Sequence, residues 1–388
     1  MKCTRNVTDH VIWVGANDRR LNLFENLFPI PRGVSYNAYL IKDEKNALMD
    51  TVDASASEQF IENVAYALNG GKLDYLVVQH MEPDHCANIQ RILELYPETK
   101  VVGNVKTMQM ISQFFDADLE GRQVVVKEGD TLELGNHTLH FVMAPMVHWP
   151  EVMVEYEETE KILFSADGFG KFGALSAEEE WTDEARRYFI NIVGKYGVQV
   201  QTLLKKAAAL DIQTICPLHG PVLKENLGFY IGKYLTWSSY EPEEDGVLVA
   251  CASIHGNTKA AAEKMVEVLR ANGASKVGFM DLTRDDMAEA VADAFRYGKI
   301  ILAAASYDAG VFPPMEDFLH RLVHKNLQKR TFGLIENGSW APCAAKGMKG
   351  ILEGMKEVNI CENVVSIKST MKDTDVAKME ELAKEILA

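Results

Sequence analysis

The chain lacks any apolar run approaching the roughly 18 residues that span a bilayer. Its opening residues, Met1-Lys2-Cys3-Thr4-Arg5-Asn6, lack the apolar segment of a secretory leader. The expectation is a cytoplasmic protein with no membrane partner. Basic residues are outnumbered, 40 Lys and Arg against 56 Asp and Glu, for a formal net charge of −16. Nucleic-acid phosphates need a basic surface, so no nucleic-acid partner is expected either. Cysteine is sparse. Cys3, Cys86, Cys216, Cys251, Cys343 and Cys361 form no Cys-x-x-Cys pair, which excludes a rubredoxin-type iron site and a zinc ribbon. Scattered single cysteines suit reduced thiols. No internal repeat or low-complexity tract is visible.

What is there is a globular composition, 47% hydrophobic and 25% charged, on 388 residues. That length exceeds one ordinary core and fits two domains. The first part mixes short strand-like runs with helical patterns. Val11 to Val14, Tyr36 to Ile41, Ala47 to Asp50, Tyr75 to Gln79 and Lys100 to Gly103 read as strands. Gln123 to Lys127, Thr138 to Met143, Val152 to Tyr156 and Lys161 to Ser165 read likewise, with helices over Glu58 to Leu68 and Ala87 to Leu95. Strands in runs with helices inserted predict two packed sheets covered by helices.

The acidic stretch Glu241-Pro242-Glu243-Glu244-Asp245-Gly246 reads as a linker, dividing a domain over 1–245 from one over 246–388. Beyond it, strands and helices alternate. Val247 to Cys251, Lys276 to Met280, Ile300 to Ala304, Thr331 to Ile335 and Val364 to Ile367 read as strands. Thr258 to Ala271, Asp285 to Phe295, Pro314 to Val323, Ala344 to Val358 and Thr374 to Leu387 read as helices. Five such units predict an α/β domain with a doubly wound parallel sheet.

Chemistry concentrates behind the apolar run Tyr75-Leu76-Val77-Val78-Gln79, in His80-Met81-Glu82-Pro83-Asp84-His85. Four ligand-type side chains within six residues allow two to face one ion and two its neighbour. His148, Asp167 and His219 each follow another strand-like run, and flanking Gly and Pro residues mark turns that aim them at a common point. Seven ligand-type residues at four strand ends suffice for two metal ions. Cys86 follows the cluster, but a soft thiolate suits these oxygen-rich surroundings poorly.

In the second domain, Ser253-Ile254-His255-Gly256-Asn257-Thr258 joins the first strand to the first helix. Small hydroxyl, amide and Gly residues opening a helix present free N–H groups to a phosphate. This loop has no Lys and no Gly-x-Gly-x-x-Gly, so it is neither a P-loop nor a dinucleotide site. Ser306-Tyr307-Asp308-Ala309-Gly310 follows the third strand, and Asn337-Gly338-Ser339-Trp340 the fourth. All three loops meet at the carboxyl edge of a doubly wound sheet. Tyr307 and Trp340 suit a flat ring, and Gly310 and Gly338 a close backbone approach. The arrangement points to flavin mononucleotide and resembles flavodoxin, with His255 where that family has Thr.

The ligand pattern resembles the metallo-β-lactamase fold, in which His-x-His-x-Asp-His is followed by a distant His, Asp and His. Glu82 replaces the second His here. A carboxylate makes the site harder and more anionic, which suits iron better than zinc. A zinc hydrolase of this fold fused to a flavodoxin module is the alternative reading. The whole chain resembles the flavodiiron proteins, or A-type flavoproteins, through His80-x-Glu82-x-Asp84-His85, His148-Trp149-Pro150, Asp167, His219-Gly220 and the flavodoxin-like part. Gly33 to Ile41 matches the family's N-terminal strand.

The resemblance implies a metallo-β-lactamase-like αββα sandwich followed by a flavodoxin-like domain, with FMN and a diiron centre. One iron would be held by His80, Glu82 and His148, the other by Asp84, His219 and His85, with Asp167 bridging. It further implies reduction of dioxygen to water, of nitric oxide to nitrous oxide, or both. The external electron donor would be rubredoxin or reduced coenzyme F420, a deazaflavin. A head-to-tail homodimer, or a dimer of such dimers, is the assembly it implies. Many members carry a Phe-His pair near the N-terminus whose His overhangs the irons. Here the stretch reads Leu23-Phe24-Glu25-Asn26-Leu27-Phe28-Pro29, without that His. Tyr188, in Arg187-Tyr188-Phe189-Ile190-Asn191, stands as a candidate catalytic donor beside the metals.

Overall fold

Short runs of Val, Ile, Leu and aromatic residues fit pleated surfaces that are covered on both sides, and they build the first half of the molecule. The computed structural model describes residues 2–388. Two compact units divide the chain. One contains residues 2–189 and Val198–Leu235, the other Ile190–Gly197 and Thr236–Ala388.

In the first unit a seven-stranded sheet runs Arg5–Asn6, Val11–Trp13, Tyr39–Ile41, Ala47–Met49, Tyr75–Val77, Lys100–Gly103, Gln123–Val125. Its first three pairings are antiparallel and its last three parallel. A second sheet orders Thr131–Glu133, Thr138–Met143, Met153–Glu157, Ile162–Phe164 and Thr214–Cys216. Trp13, Tyr39, Met49 and Val77 of one sheet share a core with Phe141, Met153 and Phe164 of the other. Each such side chain contributes roughly 1.5–3 kcal/mol by leaving water. The expected αββα sandwich is therefore present.

Two local expectations change. The run Tyr36 to Ile41 is not one strand. Val34–Tyr36 pairs with Ala16–Asp18, and Tyr39–Ile41 joins the large sheet. The break is at Asn37, whose backbone N–H donates to Leu218 O and whose Nδ2 donates to Pro217 O and Gly220 O, each at 2.8 Å. The helix expected over Ala87 to Leu95 begins only at Ile89 and runs to Leu95, and a separate short helix, Pro83–Cys86, precedes it. Asn88 sits between them and donates its Nδ2 to Val52 O at 2.7 Å.

The second unit is a parallel sheet of Glu244–Ala252, Val277–Asp281, Tyr297–Tyr307, Arg330–Asn337 and Val358–Ile367. In space the second of these lies outside the first, followed by the third, fourth and fifth. That order is the flavodoxin-like one. Asn257–Ala271 and Asp373–Leu387 cover one face through Met265, Leu269, Met379 and Leu382. The acidic stretch read as linker enters the sheet, with Glu244 paired to Tyr297 and its carboxylate held by Arg296 at 2.8 Å and by Lys276. The helix expected over Ala344 to Val358 ends at Leu352. Gly354 and a left-handed Glu357 (φ 53°) turn the chain into Val358–Ile367 instead. Among the described residues no helix is long and apolar enough to cross a membrane.

Candidate metal centre and cofactor cleft

Strand direction assembles the metal-type ligands. His80 follows Tyr75–Val77, His148 follows Thr138–Met143, Asp167 follows Ile162–Phe164 and His219 follows Thr214–Cys216, so all four emerge at carboxyl ends of strands. Pro83 starts the short helix Pro83–Cys86, which carries Asp84 and His85 back over the same end. The side chains form two groups, His80 with Glu82, His148 and Asp167, and Asp84 with His85 and His219. Within the first, Glu82 Oε2 lies 3.3 Å from His80 Nε2 and 3.1 Å from His148 Nε2. Within the second, Asp84 Oδ2 lies 3.4 Å from His85 Nε2 and 3.3 Å from His219 Nε2.

Asp167 spans both groups. Its Oδ2 is 3.3 Å from His80 Nε2 and from His148 Nε2, while its Oδ1 is 3.3 Å from His85 Nε2 and 3.7 Å from His219 Nε2.

The residues fit metal ions. Both oxygens of Asp84 and of Asp167 are buried without a hydrogen-bond partner, and His85 Nδ1 is in the same position. His85 Nε2 and His219 Nε2 face each other across 3.1 Å. Such an arrangement is destabilising unless positive charge lies among the donors. Burial opposes ionisation of these groups, yet Asp167 and Glu82 lift His148 to about 9. Against the same burial, Asp167, Glu151 and Glu82 hold His80 well above the usual imidazole range. The three imidazoles His80, His148 and His85 hold Asp167 well below the carboxylate range despite its burial. Imidazole nitrogen and carboxylate oxygen without thiolate suit a first-row ion of intermediate hardness. Cys86 is no part of this, for its Sγ turns to Met81 O at 3.2 Å.

Several supporting residues escaped the sequence reading. Glu151 Oε1 accepts from His80 Nδ1 and from Met81 N–H, each at 2.8 Å. Ser35 O accepts from His219 Nδ1 at 2.7 Å. With Nδ1 used as donor, Nε2 of each ring is left to bind a metal. Gln79 donates its Nε2 to Asp50 at 2.7 Å and accepts from Ala166 N–H at 3.0 Å, tying the His80 strand to the Asp167 turn. Only Glu151, three residues after His148, had any signal in the sequence.

Aromatic side chains wall the His219 side. Tyr188 is buried with its ring 5.4 Å from that of His219, and Phe24 lies at the same separation. A Cβ on Gly170 would sit 3.3 Å from Tyr188 and 3.4 Å from His219, so the glycine leaves room for both. Gly168, Gly170 and Gly173 spell Gly-x-Gly-x-x-Gly, but the segment continues as turns and opens no helix there. At the tip between Leu23–Phe24 and Phe28–Pro29, Glu25 reaches Glu82. Although the residue is exposed, loss of solvent around its carboxyl and then the Glu82 charge push that carboxyl up to about 7.

In the second unit the three expected loops meet in a cavity of about 630 Å³. Ser253, Ile254, His255, Asn257 and Thr258 line it, with Ser306 to Ala309 and Asn337 to Trp340. Gly256 and Gly310 do not. Gly256 caps the helix in a left-handed turn (φ 93°), and Gly310 closes the hairpin onto Tyr307. The lining adds Ala305, Ala341, Cys343 and Ser369, which sequence spacing had not singled out. Ser306 Oγ accepts from Cys343 N–H and Ala344 N–H, capping the helix Ala344–Leu352. Asn337 exchanges bonds with Ser369, its Nδ2 donating to Ser369 O and its Oδ1 accepting from Ser369 N–H. Tyr307 is 45% and Trp340 89% exposed, leaving flat apolar faces beside the opening.

A model of the ODP family beta lactamases matches residues 34–220. A nitric oxide reductase of Moorella thermoacetica is 28% identical, with 98% of each chain covered. The rubredoxin oxygen:oxidoreductase of Desulfovibrio gigas is similar in structure, with a TM-score of 0.91 and 27% identity over 99% of this chain and 98% of that one. A flavodiiron protein of Giardia intestinalis shares the fold, with a TM-score of 0.89 at 22% identity over 100% of this chain and 97% of its own.

Proposed function

The chain belongs to the flavodiiron protein family, and we propose that it reduces nitric oxide, dioxygen or both at two irons supplied with electrons by FMN. The observation that carries this reading is the division of Asp167, one oxygen toward His80 and His148, the other toward His85 and His219. In the proposal His80, Glu82 and His148 would hold one iron, Asp84, His85 and His219 the other, with Asp167 shared between them. A pair of ferrous ions would supply two electrons and a reduced flavin two more; two suffice to couple two nitric oxides to nitrous oxide and water, and all four take dioxygen to two waters.

The protein's own groups prepare the site. Glu82, Asp84 and Asp167 offset the positive charge of two ions. Glu151 and the Ser35 carbonyl orient His80 and His219. Phe24, Phe172 and Tyr188 form an apolar wall that excludes water on the His219 side. In the other unit, backbone N–H groups at the start of Asn257–Ala271 are suited to the flavin phosphate, and Tyr307 and Trp340 to the ring. Residues 1–245 and 246–388 thereby divide the labour. Electrons come from rubredoxin or reduced coenzyme F420, and the working unit is a head-to-tail homodimer or a dimer of such dimers.

The test is anaerobic reduction of protein loaded with iron and FMN, followed by separate challenge with oxygen and nitric oxide. Reoxidation of the flavin in proportion to gas consumed supports the reading. A zinc-loaded protein that cleaves esters and ignores both gases would replace it with the hydrolase alternative. Sizing and scattering of the loaded protein test the assembly, and an active monomer removes that part alone.

A further inference from the structure

We propose that the first unit carries a second, separate metal site in which His10, His137 and Glu160 bind one divalent ion of the zinc class. One ligand atom from each lies within 4.8 Å of the others. A tetrahedral zinc ion holds its donors roughly 3.4 Å apart, so the side chains have little distance to close. The imidazoles of His10 and His137 are 5.0 Å apart, and His10 Nδ1 is 3.0 Å from Glu160 Oε1.

The second observation is the state of His137. Its ring is 98% buried, its Nδ1 donates to Asp43 Oδ2 at 2.7 Å, and its Nε2 is buried with no hydrogen-bond partner. A carboxylate on Nδ1 fixes the tautomer that leaves a lone pair on Nε2, as metal-binding histidines require. An ion pair between His10 and Glu160 alone accounts for those two residues but leaves that nitrogen unsatisfied. Two imidazoles and one carboxylate, with no thiolate near, suit zinc and leave a position for water.

The scaffold is ordered before any ion arrives. Thr8 Oγ1 donates to Glu160 Oε2 at 2.6 Å, and Glu157 accepts from the N–H groups of Thr159 and Glu160. His10 lies on the turn before Val11–Trp13, His137 on the turn before Thr138–Met143, and Glu160 on the turn before Ile162–Phe164. A bound ion would therefore clasp a turn of one sheet to two turns of the other. The turns of His137 and Glu160 precede the strands whose far ends lead to His148 and Asp167. The two sites are separated by the length of a six-residue strand, roughly 20 Å.

The test uses the iron- and FMN-loaded protein, equilibrated with zinc chloride and desalted, with zinc and iron counted per chain. We expect one retained zinc with iron content unchanged, visible by zinc-edge anomalous diffraction beside His137. His10→Ala, at an exposed turn, should weaken zinc binding at least about tenfold, and Asp43→Asn about 10- to 100-fold. Reductase rate should be unaffected by either variant. Zinc should raise the melting temperature of the parent and not that of His10→Ala. Three results would each overturn the proposal: no zinc retained, equal zinc in parent and His10→Ala, or zinc gained only as iron is lost.

Discussion

His80 donates from Nδ1 to Glu151 Oε1 across 2.8 Å with both side chains fully buried. Since Glu151 also accepts from Met81 N–H, one carboxylate fixes both the ring and the backbone beside it. Glu151→Gln should lower iron affinity about 10- to 100-fold, because the amide either turns its NH₂ group on the ring or loses charge as an acceptor. Chelator competition followed by iron analysis measures this. Unchanged affinity would show that His80 needs no orienting partner.

Glu25 sits at the tip facing Glu82, and loss of solvent around its carboxyl together with the Glu82 charge pushes it up to about 7. Near neutral pH such a carboxyl holds a proton part of the time, beside the proposed ligand Glu82. Glu25→Ala should leave iron content intact and lower dioxygen consumption more than nitric oxide consumption, since dioxygen takes up four protons and a nitric oxide pair two. A change of roughly three- to tenfold in the ratio of the two rates is expected. Parallel electrode measurements giving an unaltered ratio would remove Glu25 from the reaction.

Trp340 is 89% exposed at the rim of the cavity, a large apolar surface that a flat ring can cover. Trp340→Ala should weaken FMN binding about tenfold while iron content stays constant. Quenching of flavin fluorescence on titration into the flavin-free protein reads the change. Identical dissociation constants would place the ring elsewhere.

Glu155 is completely buried on Met153–Glu157, and neither carboxyl oxygen has a hydrogen-bond partner. Burial, with the negative charge of Asp50, pushes its carboxyl well above the ordinary range. The unfolded chain releases this proton near pH 4.3, about the free glutamate value, while the folded chain keeps it. Each pH unit between the two values therefore favours unfolding by about 1.4 kcal/mol. Glu155→Met should stabilise the fold, with a gain that grows from about pH 5 upward. Melting curves at about pH 5 and about pH 8 decide it, and an equal shift at both would contradict the buried proton.

Much of this was legible because it depends on local pattern. Apolar runs with turn residues behind them located the strands, and a strand end is where His80, His148, Asp167 and His219 all lie. The three loops of the cleft were readable for the same reason. What was hidden depends on contacts distant in the chain. Nothing around Asn37 announces that its side chain caps Pro217 and Gly220, 180 and 183 residues away, and so splits a promising strand. Ser35 orients His219 through a backbone carbonyl, a group every residue possesses. His10, His137 and Glu160 are separated by wide stretches of chain, and only the stacking of two sheets brings their turns together.

No ligand-type side chain of the central cluster belongs to a strand; each sits on a turn or a one-turn helix beyond the sandwich. The apolar core can thus form before any ion arrives, while the crowded carboxylates and imidazoles are stabilised by whichever cation reaches them first. By the Irving–Williams order zinc outcompetes ferrous iron for such donors. When iron is short, the same donors would take zinc. Which metal the protein carries would then be governed by supply at the time of synthesis.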